Sequence, residues 1–145
     1  MVLAAAIGGY AWFDKSRMSR EQAAARECLA VAPAAAAALF SYDYRTFDAS
    51  VANGRGFATG TFDGEYAQTT AALKTTAVKE QAVVTAQASV AGIINSSARQ
   101  VEVLLYVNQY RRNLNISGER VDQNRVVLTM TKVDGQWKVS AAAAI

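Results

Sequence analysis

The pattern of this chain changes once, near Glu80, and that change restricts its fold more than any other feature. Before Glu80 the apolar residues recur at helical spacing; after it they alternate with polar ones, as half-buried strands require. Between Arg99 and Tyr110, Val101, Val103, Leu105 and Val107 share one face, while Glu102, Leu104, Tyr106 and Asn108 share the other. Further strands are predicted over Val83 to Ile94, Arg125 to Val133 and Gln136 to Ala141. Only Asp134-Gly135 separates the last two, and both residue types tolerate the positive φ of a type I′ hairpin turn. Trp137 and Val139 then point inward. The polar stretch Asn113 to Asn124 serves as a connection that turns at Gly118.

Three helices are predicted ahead of the strands. The first runs from about Ser16 to Ser41, rich in alanine, glutamate and arginine, with Pro33 removing one backbone bond and bending it. Ser41-Tyr42-Asp43-Tyr44 breaks that pattern, and Asp43 is the natural N-cap of a second helix over Tyr44 to Ala52, closed by Asn53-Gly54. The third spans Thr61 to Lys79, with Phe62, Tyr66, Leu73 and Ala77 on one face. Helices first and strands afterwards make a segregated α+β domain. A chain of 145 residues is one domain's worth. The predicted fold is a long N-terminal helix followed by a cone of helices wrapped by one four-stranded antiparallel sheet.

Composition narrows the function. The chain has no histidine, which excludes Ser-His-Asp and Cys-His nucleophile systems and any histidine-ligated metal. The lone Cys28 sits among helix formers and reads as a small buried hydrophobe. Acid–base chemistry would fall to Asp43, Asp48 or Asp122 with Tyr42, Tyr44, Tyr106 or Tyr110, none of which stands at diagnostic spacing. Gly54-Arg55-Gly56 and Gly60 lack the preceding strand and the lysine of a phosphate loop. We therefore expect no catalysis, no cofactor and no metal. The net charge of +3 is scattered rather than gathered on one stripe, so no nucleic-acid partner is expected.

Met1 to Phe13 is apolar and uncharged, and polar sequence begins at Asp14. Tyr10 and Trp12 end the apolar run as aromatic residues do at a membrane interface. Three readings compete: the outer part of a membrane helix that starts upstream, a signal-peptide core, and a helix packed on its own domain. The aromatic residues favour the first, which makes 1–15 a membrane anchor, 16–145 the folded domain, and Val2, Leu3, Ile7, Tyr10 and Trp12 the lipid- or permease-facing set. Lys15, Arg17 and Arg20 flank the anchor on the domain side, a bias that by itself favours a cytoplasmic domain.

Several segments together resemble the Mce-associated membrane proteins of mycobacteria and their relatives. These are Ser41-Tyr42-Asp43-Tyr44-Arg45-Thr46-Phe47-Asp48, Gly60-Thr61-Phe62 with Glu65-Tyr66, Arg120-Val121-Asp122, and Val133-Asp134-Gly135-Gln136-Trp137-Lys138-Val139. The resemblance implies an NTF2-like cone on a single-pass helix in the cytoplasmic membrane, with the soluble domain on the periplasmic or cell-wall side. It implies an accessory subunit that stabilises or modulates an Mce lipid import complex, with the permease, the Mce subunits and the lipid bilayer as partners. The anchor residues would then face permease or lipid. Asp43 would cap the second helix beside Asp48, Tyr42 and Tyr44 would wedge it against the sheet, and Asp134, Gly135 and Trp137 would set the final hairpin. Two alternatives share this architecture. One is an NTF2-like component of another envelope machine, such as a type IV secretion system. The other is a ligand-binding or isomerase-like domain with a pocket lined by Tyr106, Tyr110 and a buried carboxylate.

Overall fold

The structure, a computed structural model, describes the backbone of residues 2–145 and the side chains of residues 15–145. Helix α1 (Val2–Leu39) is followed by a short strand β1 (Tyr42–Asp43), a 3-10 turn (Tyr44–Thr46), and helices α2 (Phe47–Arg55) and α3 (Gly60–Glu80). Four longer strands complete the chain: β2 (Val83–Ser96), β3 (Gln100–Arg112), β4 (Arg120–Val133) and β5 (Gln136–Ala144). They form one antiparallel sheet in the order β1-β2-β3-β4-β5.

The period-2 pattern places the core. Val101, Val103, Leu105 and Val107 of β3 lie on the inner face beside Val126, Leu128 and Met130 of β4 and Trp137 and Val139 of β5, all buried. Against them lies one stripe of α1: Ala24, Cys28, Ala32, Ala35, Ala36 and Leu39. Their spacing of three or four residues keeps them on one side of the helix, and their small side chains let it approach the sheet closely. Burial of each large aliphatic residue contributes about 1.5–3 kcal/mol. Pro33 lies inside α1 without ending it; only its own bond to the preceding turn is forgone.

Both residues of the Asp134-Gly135 turn have positive φ, 50° and 77°, as the type I′ geometry requires. Helix α3 ends on Gln81, which adopts the left-handed conformation at φ 51° while the Ala82 N–H returns to the Ala77 carbonyl at 2.9 Å. The loop after α2 covers the free side of β5. There Val139 N–H donates to Phe57 O (2.6 Å) and Thr59 N–H to Val139 O (2.9 Å).

Three sequence expectations are corrected here. The sheet has five strands rather than four, because Tyr42 and Asp43 pair with Val84 and Val83. Strand β4 begins at Arg120 rather than Arg125. Arg120 to Asn124 is polar on most positions, so no alternation marks it, yet its ladder with β3 continues to Arg111↔Arg120. The third concerns the membrane. Among the described residues no helix is long and apolar enough to cross a bilayer. Starting from Val2, an 18-residue stretch of α1 already takes in Asp14, Lys15 and Arg17. The expected transmembrane helix and the single-pass localisation drawn from it therefore do not stand. The side chains of Val2, Leu3, Ile7, Tyr10 and Trp12 lie outside the described residues.

Candidate interaction surfaces

A ligand-binding cone needs a hollow, and here the hollow is filled. Leu105, Leu128, Met130, Val101, Val103, Val107, Val139 and Cys28 are all less than 2% exposed, so the α1 stripe and the inner sheet face meet directly. Burial pushes the Cys28 thiol up to about 11, which keeps it protonated and unreactive. Among the described residues, a cleft of about 540 Å³ opens between α1, α2 and β2, lined by Ala34, Ser41, Tyr42, Ser50, Phe57 and Val84.

The segment Tyr42 to Asp48 joins helices to sheet. Tyr42 meets Phe47 edge to face, ring centroids 5.5 Å apart, in a small cluster with Ala77, Ala82, Val51 and Leu73. Its hydroxyl pKa is raised, chiefly by burial. Asp43 caps the 3-10 turn: its Oδ1 accepts from Arg45 N–H at 2.9 Å, and the Arg45 guanidinium grips both oxygens at 2.9 and 2.6 Å. These bonds hold the carboxyl below the usual range. Helix α2 itself starts later, at Phe47, with Thr46 as its N-cap. Tyr44 bonds through its N–H to Ala82 O (3.0 Å) and lies beside the Arg45 guanidinium. Asp48 is exposed and accepts from Lys74 Nζ at 2.8 Å, linking α2 to α3.

At the far end of the cone, Trp137 is buried and donates from Nε1 to Glu27 Oε2 at 3.1 Å. Lys132 Nζ bonds the same oxygen at 3.1 Å, so α1, β4 and β5 meet on one carboxylate whose pKa these contacts lower, Trp137 foremost. Sequence reasoning missed Glu27. It flanks Cys28 in the middle of α1, and only its neighbour's burial, one step round the helix, points to it. A cleft of about 530 Å³ opens beside it, lined by Arg20, Glu27, Arg99, Lys132 and Asp134.

The acid–tyrosine pairs weighed for catalysis are not assembled into an enclosed site. Tyr106 stands 53% exposed on the outer face, and Tyr110 lies in a different, open cleft with Arg45 and Glu119. Asp122 shares an open cleft with Tyr42, Gln109 and Asn124, where it is paired to Arg111. Arg111 keeps one buried Nε–H without a partner. Among the described residues no three His, Cys, Asp or Glu side chains are grouped to hold a metal ion.

The helix-then-meander arrangement is the α+β NTF2-like fold, and solved structures share it. The chain is similar to an IcmL-like type IV secretion system protein from Legionella pneumophila, with a TM-score of 0.66 at 17% identity over 81% of this chain and 88% of that one. It is similar to the periplasmic domain of DotI, with a TM-score of 0.58 at 20% identity over 81% and 91%. CagV of Helicobacter pylori, a VirB8 homolog of a type IV secretion system, gives 0.59 at 12% identity over 79% and 96%. No family model matches the sequence. An uncharacterized protein of Mycobacterium tuberculosis is 26% identical over 143 residues, 97% of this chain. The chain spans 65% of that relative's length.

These findings correct the family reading. The solved structures named above include type IV secretion system proteins and no Mce-associated protein, so the Mce lipid-import role, with its permease, Mce-subunit and bilayer partners, is withdrawn. Of the residues that suggested it, Tyr42 packs on Phe47, Asp43 caps the 3-10 turn, Asp48 accepts from Lys74 and Trp137 donates to Glu27.

Proposed function

We propose that this chain is an assembly domain of a multi-protein envelope machine of the type IV secretion kind, acting by docking onto neighbouring proteins. The observation that supports this most is the match of about four-fifths of the chain to secretion-system domains from different sources. The close packing of the α1 stripe on the inner sheet face agrees with it. Residues 16–145 form the docking unit. Tyr42, Asp43, Tyr44 and Asp48 fasten the helices to the sheet, and Asp134, Gly135 and Trp137 fasten the last hairpin to α1, so the outer surfaces are presented on a rigid frame.

The test is affinity purification of the tagged full chain from its own cells after mild crosslinking, with partners identified by mass spectrometry. Repeated recovery of other envelope-machine subunits is the expected result. Recovery of the chain alone, or turnover of a small molecule by the pure chain, would overturn the proposal.

A further inference from the structure

Each margin of the sheet is covered over only part of its length. On the free side of β5 the Phe57–Thr59 loop bonds the backbone at Val139. At the other margin, β1 pairs with only Val83 and Val84 of β2. Beyond it, Ala86 N–H donates to Ser41 Oγ at 2.8 Å, which shows that this residue's backbone faces away from β3. Backbone groups alternate sides along a strand, so those of Ala88 and Val90 face the same open side. Among the described residues, no backbone bond reaches them from there.

Natural proteins protect such an edge with charge, proline or a cover. Here two irregularities in the pairing, between Val90 and Gly92 and between Ile93 and Asn95, are the only such device on the strand. Sixteen consecutive residues, 83 to 98, contain no charged residue and no proline. The edge is also apolar: Val90 is 38%, Ile93 39% and Ile94 55% exposed.

We infer that the β2 edge is a self-association surface on which the β2 strand of a second copy of this chain pairs antiparallel, extending the sheet across a two-fold axis. Charge selects the occupant. A strand bearing charges finds no complement anywhere between 83 and 98, whereas an identical strand meets it without like-charge repulsion. In an antiparallel pairing each copy offers the other the same unpaired donors and acceptors and the same aliphatic side chains, as an isologous interface requires. The inference stands on this edge alone, independently of the machine the domain serves.

Sedimentation velocity of the full chain across a wide concentration range tests it. The expected result is a reversible dimer that Val90→Lys weakens at least about tenfold, about 1.4 kcal/mol by the affinity relation. Far-UV circular dichroism should be unchanged, because Val90 is partly exposed. Single cysteines at Ala88, Val90 or Ile93 give a second readout, since Cys28 is buried and its thiol stays protonated. At least one of the three should form a disulfide-linked dimer under mild oxidation, while a cysteine at Ala143 on β5 should not. A chain that is monomeric throughout, a dimer indifferent to Val90→Lys, or crosslinking through β5 but not β2 would each overturn the inference. Crosslinking of β2 to another protein but never to itself would transfer the edge to a different partner and equally refute it.

Discussion

Gly54→Ala sets two well-understood effects against each other. In the interior of a helix, alanine stabilises relative to glycine by about 0.5–1 kcal/mol, because glycine loses more backbone freedom on folding. Gly54 lies inside α2, one residue before its end at Arg55, and is buried. A methyl group there would come within 2.7 Å of Tyr66 Cζ, with the Tyr66 hydroxyl closer still. Tyr66 packs on the main core and lies 6.2 Å, centroid to centroid, from Phe62. Its ring would have to give way, and overpacking of this kind costs about 1–3 kcal/mol. The clash outweighs the propensity gain, so we expect a net loss of about 1 kcal/mol and a melting temperature lower by roughly 2–4 °C. Thermal and urea unfolding of four proteins would measure it: wild type, Gly54→Ala, Tyr66→Ala and the double variant. With the ring removed, the same glycine change should stabilise by up to about 1 kcal/mol, giving a coupling near 2 kcal/mol. A Gly54→Ala protein that is more stable than wild type in the intact background would refute the reasoning.

Leu105 is fully buried at the centre of the sheet, so Leu105→Ala should cost about 3–5 kcal/mol in urea denaturation through lost transfer energy and a residual cavity. Gly135→Ala puts a Cβ at φ 77° and should cost about 1–2 kcal/mol, whereas Asp134→Asn, at φ 50°, should be nearly neutral by the same assay. Glu27, Asp43 and Asp63 all have lowered pKa values, from bonds to Trp137 and Lys132, to Arg45 and to Arg55 respectively. Their contributions are present above the unfolded carboxyl values near 4 and are lost as pH falls through the lower folded values, so stability should decline on acidification. Asp43→Asn should flatten part of that decline when unfolding is followed against pH. Cys28 should resist thiol reagents at pH 8 in the folded protein and react promptly in denaturant, because it is buried and its pKa is pushed up to about 11.

What the sequence made legible tracks where burial imposes a period. Val101 to Val107 declared β3 because one face had to be apolar to meet α1, and Asp134-Gly135 declared its turn because few residues accept positive φ. Where burial imposes nothing, the reading slipped. Tyr42-Asp43 is too short to show alternation, and Arg120 to Asn124 carries polar residues through a ladder held by backbone pairing and by the Asp122–Arg111 and Asn124–Gln109 side-chain contacts. Gly54 was read as a helix end because glycine commonly is one. Its actual reason, the approach of Tyr66 from α3, is a tertiary contact with no local signal. The same limit bears on the family resemblance: Tyr42, Asp43 and Trp137 make contacts within the fold, and such contacts do not name a partner. Glu27, the carboxylate that ties Trp137 to α1, looked like one more surface charge on a polar helix face.

The proposed docking role places this domain inside a larger assembly rather than alone. The size of the native particle tests it most directly. The chain, detected at its natural abundance in gently prepared extracts of its own cells, should migrate on native gels in a complex of several different proteins and fall to a small species once those contacts are broken. A chain that runs from the outset as an isolated monomer, with no other protein comigrating, would contradict the claim.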